Sequence, residues 1–108
     1  MKLTVAGRHI KITDAIEEHL EAKIAKNIKQ WIDSADIHVA LAVEKYRHLA
    51  EITVKTKGFT VHGNEETDDL YKAIDGALDK VEKQLRKHKE RSKSLKIKKG
   101  KEFKETIN

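Results

Sequence analysis

Residues 68–91 read DDLYKAIDGALDKVEKQLRKHKER, and their reading decides the fold. At the 3.6-residue period of a helix, Leu70, Ile74, Ala77, Leu78, Val81, Leu85 and His88 fall on one side. Lys72, Lys80, Lys83, Arg86, Lys87 and Arg91 fall on the other. The segment is therefore expected to be one amphipathic helix, roughly 36 Å long, with one face on a core and a basic back. Thr67 or Asp68 is placed to cap it, with acidic residues in its first turn. Its apolar face needs something to pack on, and the preceding residues supply a sheet.

Lys2–Ala6 alternates with period two, Gly7 and Arg8 interrupt the alternation, and Ile10 and Ile12 resume it. The period then becomes helical. Thr13 or Asp14 can act as cap, and Ile16, Leu20, Ile24, Asn27, Ile28 and Trp31 form an inward stripe. Trp31 is expected to close one end of the core, with stacking on a base as the alternative use of a lone tryptophan. On one flank His19, Lys23 and Lys26 form a row. Ala35, Ile37, Val39, Leu41 and Val43 then alternate as a strand, and a second strand follows over Leu49–Thr56. Lys57 and Gly58 fit a tight hairpin turn, and a short last strand carries Phe59 and Val61 until Gly63 and Asn64.

The order is β-α-β-β-β-α, an α+β fold. A right-handed crossover makes the first two strands parallel, and two hairpins make the rest antiparallel. The result is a four-stranded mixed sheet with two roughly parallel helices on one face. Lys23 and Lys26 are then expected beside the second helix, where they would join Lys80, Lys83 and Lys87 in one basic surface. Residues 1–91 form the expected domain and 92–108 a flexible lysine-rich tail.

Composition limits the function. The 108 residues carry a net charge of +5, but the excess is local. Residues 1–67 hold ten Lys/Arg against ten Asp/Glu, 68–79 hold one against four, and 80–108 hold twelve against four. Such asymmetry points to a polyanionic partner. Dipole complementation alone needs basic residues only in a last turn, and this run begins well before it. The absence of cysteine removes disulfides, thiolate zinc sites and cysteine nucleophiles, and makes the cytoplasm the expected location. No apolar run is long enough to span a membrane, and the N-terminus reads as a strand and not as a signal peptide.

Catalytic signals are weak. His9, His19, His38, His48, His62 and His88 are scattered without zinc-site spacing, so no metal or other cofactor is expected. No phosphate-binding glycine loop or nucleophile-elbow motif occurs, the paired acids sit at helix starts or in loops, and no small-molecule substrate is expected. Gly76, among Lys72, Lys80 and Lys83, either admits a phosphate or ribose to the helix backbone or is simply tolerated there.

The run DLYKAIDGALDKVEKQLRKHKER, with ITDAIEEHLEAKIAK before it and VHG leading into the helix, resembles the short ribosome hibernation-promoting factors and related ribosome-associated inhibitors of the sigma-54 modulation protein family. The resemblance covers about residues 1–91, with Asp69, Tyr71, Ala73, Ile74, Asp75, Leu78, Lys80, Gln84, Leu85, Lys87, His88 and Lys89 in register. It implies the same element order, akin to double-stranded-RNA-binding domains, and no catalysis. It also implies binding to the small ribosomal subunit and its ribosomal RNA, in the channel used by messenger and transfer RNA. Occupancy there would exclude tRNA and initiation factors and silence translation in stationary phase or stress. The motif match places the RNA-binding role on Lys23, Lys26, Lys80, Lys83, Lys87, Lys89 and Arg91. Arg86 shares their face but departs from the family pattern.

The protein is expected to be a monomer off the ribosome. The long family forms carry a C-terminal dimerisation domain that this sequence does not match, so pairing ribosomes would need a partner such as ribosome modulation factor. The basic face by itself equally suits a general double-stranded-RNA binder or RNA chaperone. Ala40, Ala42 and Leu49 on the outer sheet face suit a protein-interaction module.

Overall fold

The computed structural model describes residues 2–32 and 34–101, with side chains up to Lys89. The elements are β1 (Lys2–Arg8), α1 (Asp14–Asn27), β2 (Asp36–Glu44), β3 (Arg47–Thr56), β4 (Phe59–Thr67) and α2 (Leu70–Lys101). Sheet order equals chain order, β1-β2-β3-β4, with β1 and β2 parallel and the other two pairs antiparallel. This is the expected α+β architecture.

The alternation read in the strands sets the inner face. Ile37, Val39 and Leu41 of β2 and Ala50, Ile52 and Val54 of β3 are buried. The helices cover them with Ile16, Leu20, Ile24 and Ile28 from one side and Leu70, Ile74, Ala77, Leu78, Val81 and Leu85 from the other. The one member of the expected α2 stripe that is not buried is His88, which is exposed. Ile10 and Ile12, after a bend at His9 (φ 61°), pack against the core without joining a strand.

Several boundaries differ from the sequence expectation, each for a local reason. β1 keeps its pairing through Gly7 and Arg8, opposite Leu41 and Ala42. α1 ends at Asn27, not at Trp31: the Ile28 and Lys29 amides both donate to the Ile24 carbonyl, and Trp31 follows in a separate turn closed on Ile28. β2 and β3 join through only Lys45 and Tyr46, with Lys45 at φ 56°. At the other hairpin Gly58 has φ 101°, as the Lys57-Gly58 pair predicts.

β4 does not stop at Gly63 but runs to Thr67, and Gly63 is needed within it. A Cβ there would lie 2.7 Å from the Ala77 carbonyl oxygen, so its absence lets α2 settle on the strand. The α2 cap is Asp69, whose Oδ1 accepts from the Tyr71 and Lys72 amides at 2.8 and 3.3 Å. Asp68 and Asp69 thus precede the helix, and its first turn contains no acid. The α2 backbone stays helical to Lys101, beyond the residue 91 boundary drawn from composition. Residues 102–108, the end of the expected tail, lie outside the described residues.

Candidate nucleic-acid interface

The helix layer is built so that its charged flanks face each other. Thr13 Oγ1 accepts the Ile16 amide and starts α1, and burial of its inward stripe turns the His19-Lys23 flank toward α2. His19 Nε2 is 2.8 Å from Asp75 Oδ1 and Lys23 Nζ is 3.9 Å from Asp75 Oδ2. Tyr71 meets the His19 ring edge-on, with centroids 4.9 Å apart. Further along, Glu82 receives three donors: Asn27 Nδ2 at 3.1 Å, Gln30 Nε2 at 3.0 Å and Trp31 Nε1 at 3.1 Å. Contacts that rise together in residue number on both helices mean that α1 and α2 run in the same direction.

The charged α2 side chains that meet α1 across this seam are therefore acids, not the expected lysines. Lys80 lies on the opposite flank, beside β4, where its Nζ donates to the Asn64 carbonyl at 2.8 Å and pairs with Glu65 at 2.7 Å. One turn on, Gln84 donates to the His62 carbonyl at 2.6 Å and accepts the His62 amide at 3.4 Å. Together they occupy backbone groups on the outer edge of β4 that a further strand would use. Gly76 also belongs to this flank. A Cβ there would stand 2.8 Å from Glu65 Cγ, so the glycine makes room for the carboxylate that holds Lys80. The space beside Gly76 is filled from within the molecule, not left open for a phosphate.

The eight basic residues singled out in the sequence thus divide. Lys23 and Lys80 are tied to Asp75 and Glu65, and Lys83 pairs with Asp79 one turn back at 3.5 Å. Lys26, Arg86, Lys87 and Lys89 are exposed and have no ion-pair partner among the described residues. The Arg91 side chain lies outside the described residues. Helical periodicity puts Arg86 and Lys89 toward α1, Lys83 on the crest, and Lys87 toward β4. The cations lie on both sides of a ridge on which Asp75, Asp79 and Glu82 are already engaged, an arrangement able to grip phosphates on either side.

Sequence reasoning missed Glu82 as the clasp between helices, because nothing in its spacing announces three donors from another element. It also missed the ring pair at the C-terminal end of the layer: Phe59 and His88 are stacked, with centroids 3.8 Å apart and planes at 24°.

On the outer sheet face Ala6, Ala40, Ala42 and Leu49 line a shallow hollow rimmed by Arg8, Glu51 and Glu66. Thr53 Oγ1 and His62 Nδ1 are 2.9 Å apart there, and His62 Nε2 is 3.4 Å from Glu51. The groups resemble a hydrolytic relay in order only. They stand about half exposed on an open sheet, without the walls that shield a reacting group. Among the described residues no His, Cys, Asp and Glu cluster is placed to hold a metal, and no helix is long and apolar enough to cross a membrane.

The model of the sigma 54 modulation protein / S30EA ribosomal protein family matches residues 3–93. The ribosome hibernation promoting factor of Escherichia coli K12 is 39% identical over 94 residues, covering 86% of this chain and 98% of its own length. The Protein Y N-terminal domain of Thermus thermophilus superposes with a TM-score of 0.76 at 36% identity, covering 82% of this chain and 99% of that one. A ribosomal subunit interface protein from Coxiella burnetii gives 0.75 at 29% identity, covering 82% and 98%.

Proposed function

The chain belongs to the sigma 54 modulation protein / S30EA ribosomal protein family, and from that premise we propose that it is a non-catalytic, cytoplasmic translational silencer. It binds the small ribosomal subunit, occupies the channel of messenger and transfer RNA, and promotes ribosome hibernation in stationary phase or stress. The observation that carries this reading is the helix layer itself. Lys26, Lys83, Arg86, Lys87 and Lys89 are exposed along two parallel helices, while Asp75 and Glu82 turn inward to the seam. Phosphates would meet cations there before they meet acids.

In this reading the exposed cations make the phosphate contacts, Lys23 and Lys80 are held in register by their acids, and Arg91 has the RNA-binding role that the family resemblance implies. Silencing is steric: the bound domain fills space that tRNA and initiation factors need. The protein acts as a monomer, and dimerising ribosomes would require a partner such as ribosome modulation factor.

The test is co-sedimentation with purified small subunits. Replacing Lys83 and Lys87 together by glutamate reverses four units of charge on exposed positions, which should leave the fold intact and abolish co-sedimentation. Retained binding by a folded double variant would remove this proposal. An excess of free duplex RNA that strips the wild type from subunits would instead favour a general duplex-RNA binder.

A further inference from the structure

At the C-terminal end of the helix layer a hollow of about 340 Å³ opens between α2, the turn after α1 and the β3–β4 hairpin. Its walls include Trp31, Phe59 and His88, with Lys57 on the hairpin, Lys89 on α2 and Ser34. We propose that this hollow is a binding site for a single unstacked nucleotide of an RNA partner, with its base against the Phe59–His88 ring pair and its phosphates held by Lys57 and Lys89. The inference deepens the RNA-binding reading above and rests on it.

Size, rings and charge each point to that occupant. The volume lies at the low end of the range for small-ligand sites, about 300–1,000 Å³, which suits one base and its sugar better than a run of bases. Phe59 and His88 already stack with each other, which forms a platform of the kind on which unstacked bases are received. The indole N–H of Trp31 is engaged by Glu82 at 3.1 Å, so the ring is fixed without a contribution from a ligand. Lys57 and Lys89 approach from separate elements, and among the described residues neither has an ion-pair partner and no acid lines the hollow. An acidic peptide would match the lysines but would leave the rings without a stacking partner. A purely apolar segment would leave both ammonium groups unmatched.

The site also separates two kinds of contact. Lysines on the helix crest meet phosphates whatever the base, whereas a ring platform requires a base that has left its helix. The hollow would therefore favour RNA with a bulged or looped nucleotide over uninterrupted duplex.

Because Trp31 is the only tryptophan, its fluorescence reports on the hollow without labelling. The full chain is titrated with a blunt RNA duplex and with the same duplex carrying one bulged adenosine, alongside co-sedimentation with small subunits. The bulged RNA should quench Trp31 saturably and bind about tenfold more tightly than the blunt one. His88→Ala, at an exposed position, should erase that difference, and His88→Tyr, which keeps a ring, should restore it. Equal affinity for the two RNAs, or tighter bulge binding that His88→Ala leaves untouched, overturns the site, even where co-sedimentation persists and the silencing role stands. Photo-crosslinking of the ribosome-bound protein gives a second reading. Attachment of the Trp31 or His88 peptide to ribosomal RNA supports the site, and attachment only to a ribosomal protein overturns it.

Discussion

Gly63 of β4 lies directly beneath Ala77 of α2, so close that a Cβ on the glycine would stand 2.7 Å from the Ala77 carbonyl oxygen. A Cβ on Gly76, at the same helix–strand contact, would have the Glu65 side chain as its nearest neighbour, 2.8 Å away. The two glycines therefore predict opposite outcomes. Gly63→Ala must push the helix off the sheet and should destabilise the protein by about 2 kcal/mol or more, as overpacking does. Gly76→Ala gains about 1 kcal/mol of helix propensity and displaces a flexible carboxylate from a half-exposed ion pair. It should be neutral within about 1 kcal/mol. Thermal or urea unfolding of both variants checks the contrast, and an equal loss at the two positions would contradict it.

Glu82 joins the helices through three donors on one short stretch of chain, Asn27 to Trp31. Glu82→Ala should cost about 1–2 kcal/mol, a modest figure because the Gln30 contact is exposed and the other two only partly buried. The Trp31 emission should shift as its indole N–H loses its acceptor. Glu82→Gln, which keeps one acceptor oxygen, should lose about half as much. An unchanged emission in the alanine variant would show that the clasp does not fix the ring.

Lys80 and Lys83 are one turn apart on α2 and both charged, yet they are expected to behave differently. Lys80 is committed to Asn64 and Glu65, whereas the ion pair of Lys83 is with Asp79 on its own helix. Lys80→Ala should lower stability by about 0.5–1 kcal/mol and barely change the salt dependence of RNA binding. Lys83→Ala should leave the unfolding midpoint in place and reduce the slope of log K against log salt by about one. Measuring affinity at four or five salt concentrations separates the two, and the reverse pattern would reassign their roles.

Much of the fold was legible because burial imposes simple periods. The inward residues of β2, β3 and α2 follow periods of two and 3.6, and the change of period at Thr13 marks the start of α1. The two parallel helices follow from element order and crossover handedness alone. What could not be read depends on neighbours that are distant in sequence. Gly63 reads as a strand terminator until α2 is laid upon it, and Gly76 looks open until Glu65 arrives. Asp75 interrupts a basic face by spacing, yet with Glu82 it forms the seam that α1 meets. His88 fits the apolar stripe by spacing but lies past the last buried turn, where it finds Phe59 instead of a core. Local patterns define which face is inward; counter-charges and ring pairs require the register between elements.

Strand order in the sheet is the order of synthesis, and each strand pairs with its predecessor in the chain. Only the β1–α1–β2 connection must cross over before its strands can meet. As the polypeptide leaves the ribosome, β2 has β1 waiting for it, β3 has β2, and β4 has β3. Closing short loops costs little entropy, and pairing of this kind is met early in folding. The sheet can thus grow from one edge while translation continues, with α2 emerging after all four strands and sealing β4. By this route the basic helix closes over a sheet that is already paired, and a chain interrupted before α2 presents a sheet without its basic ridge.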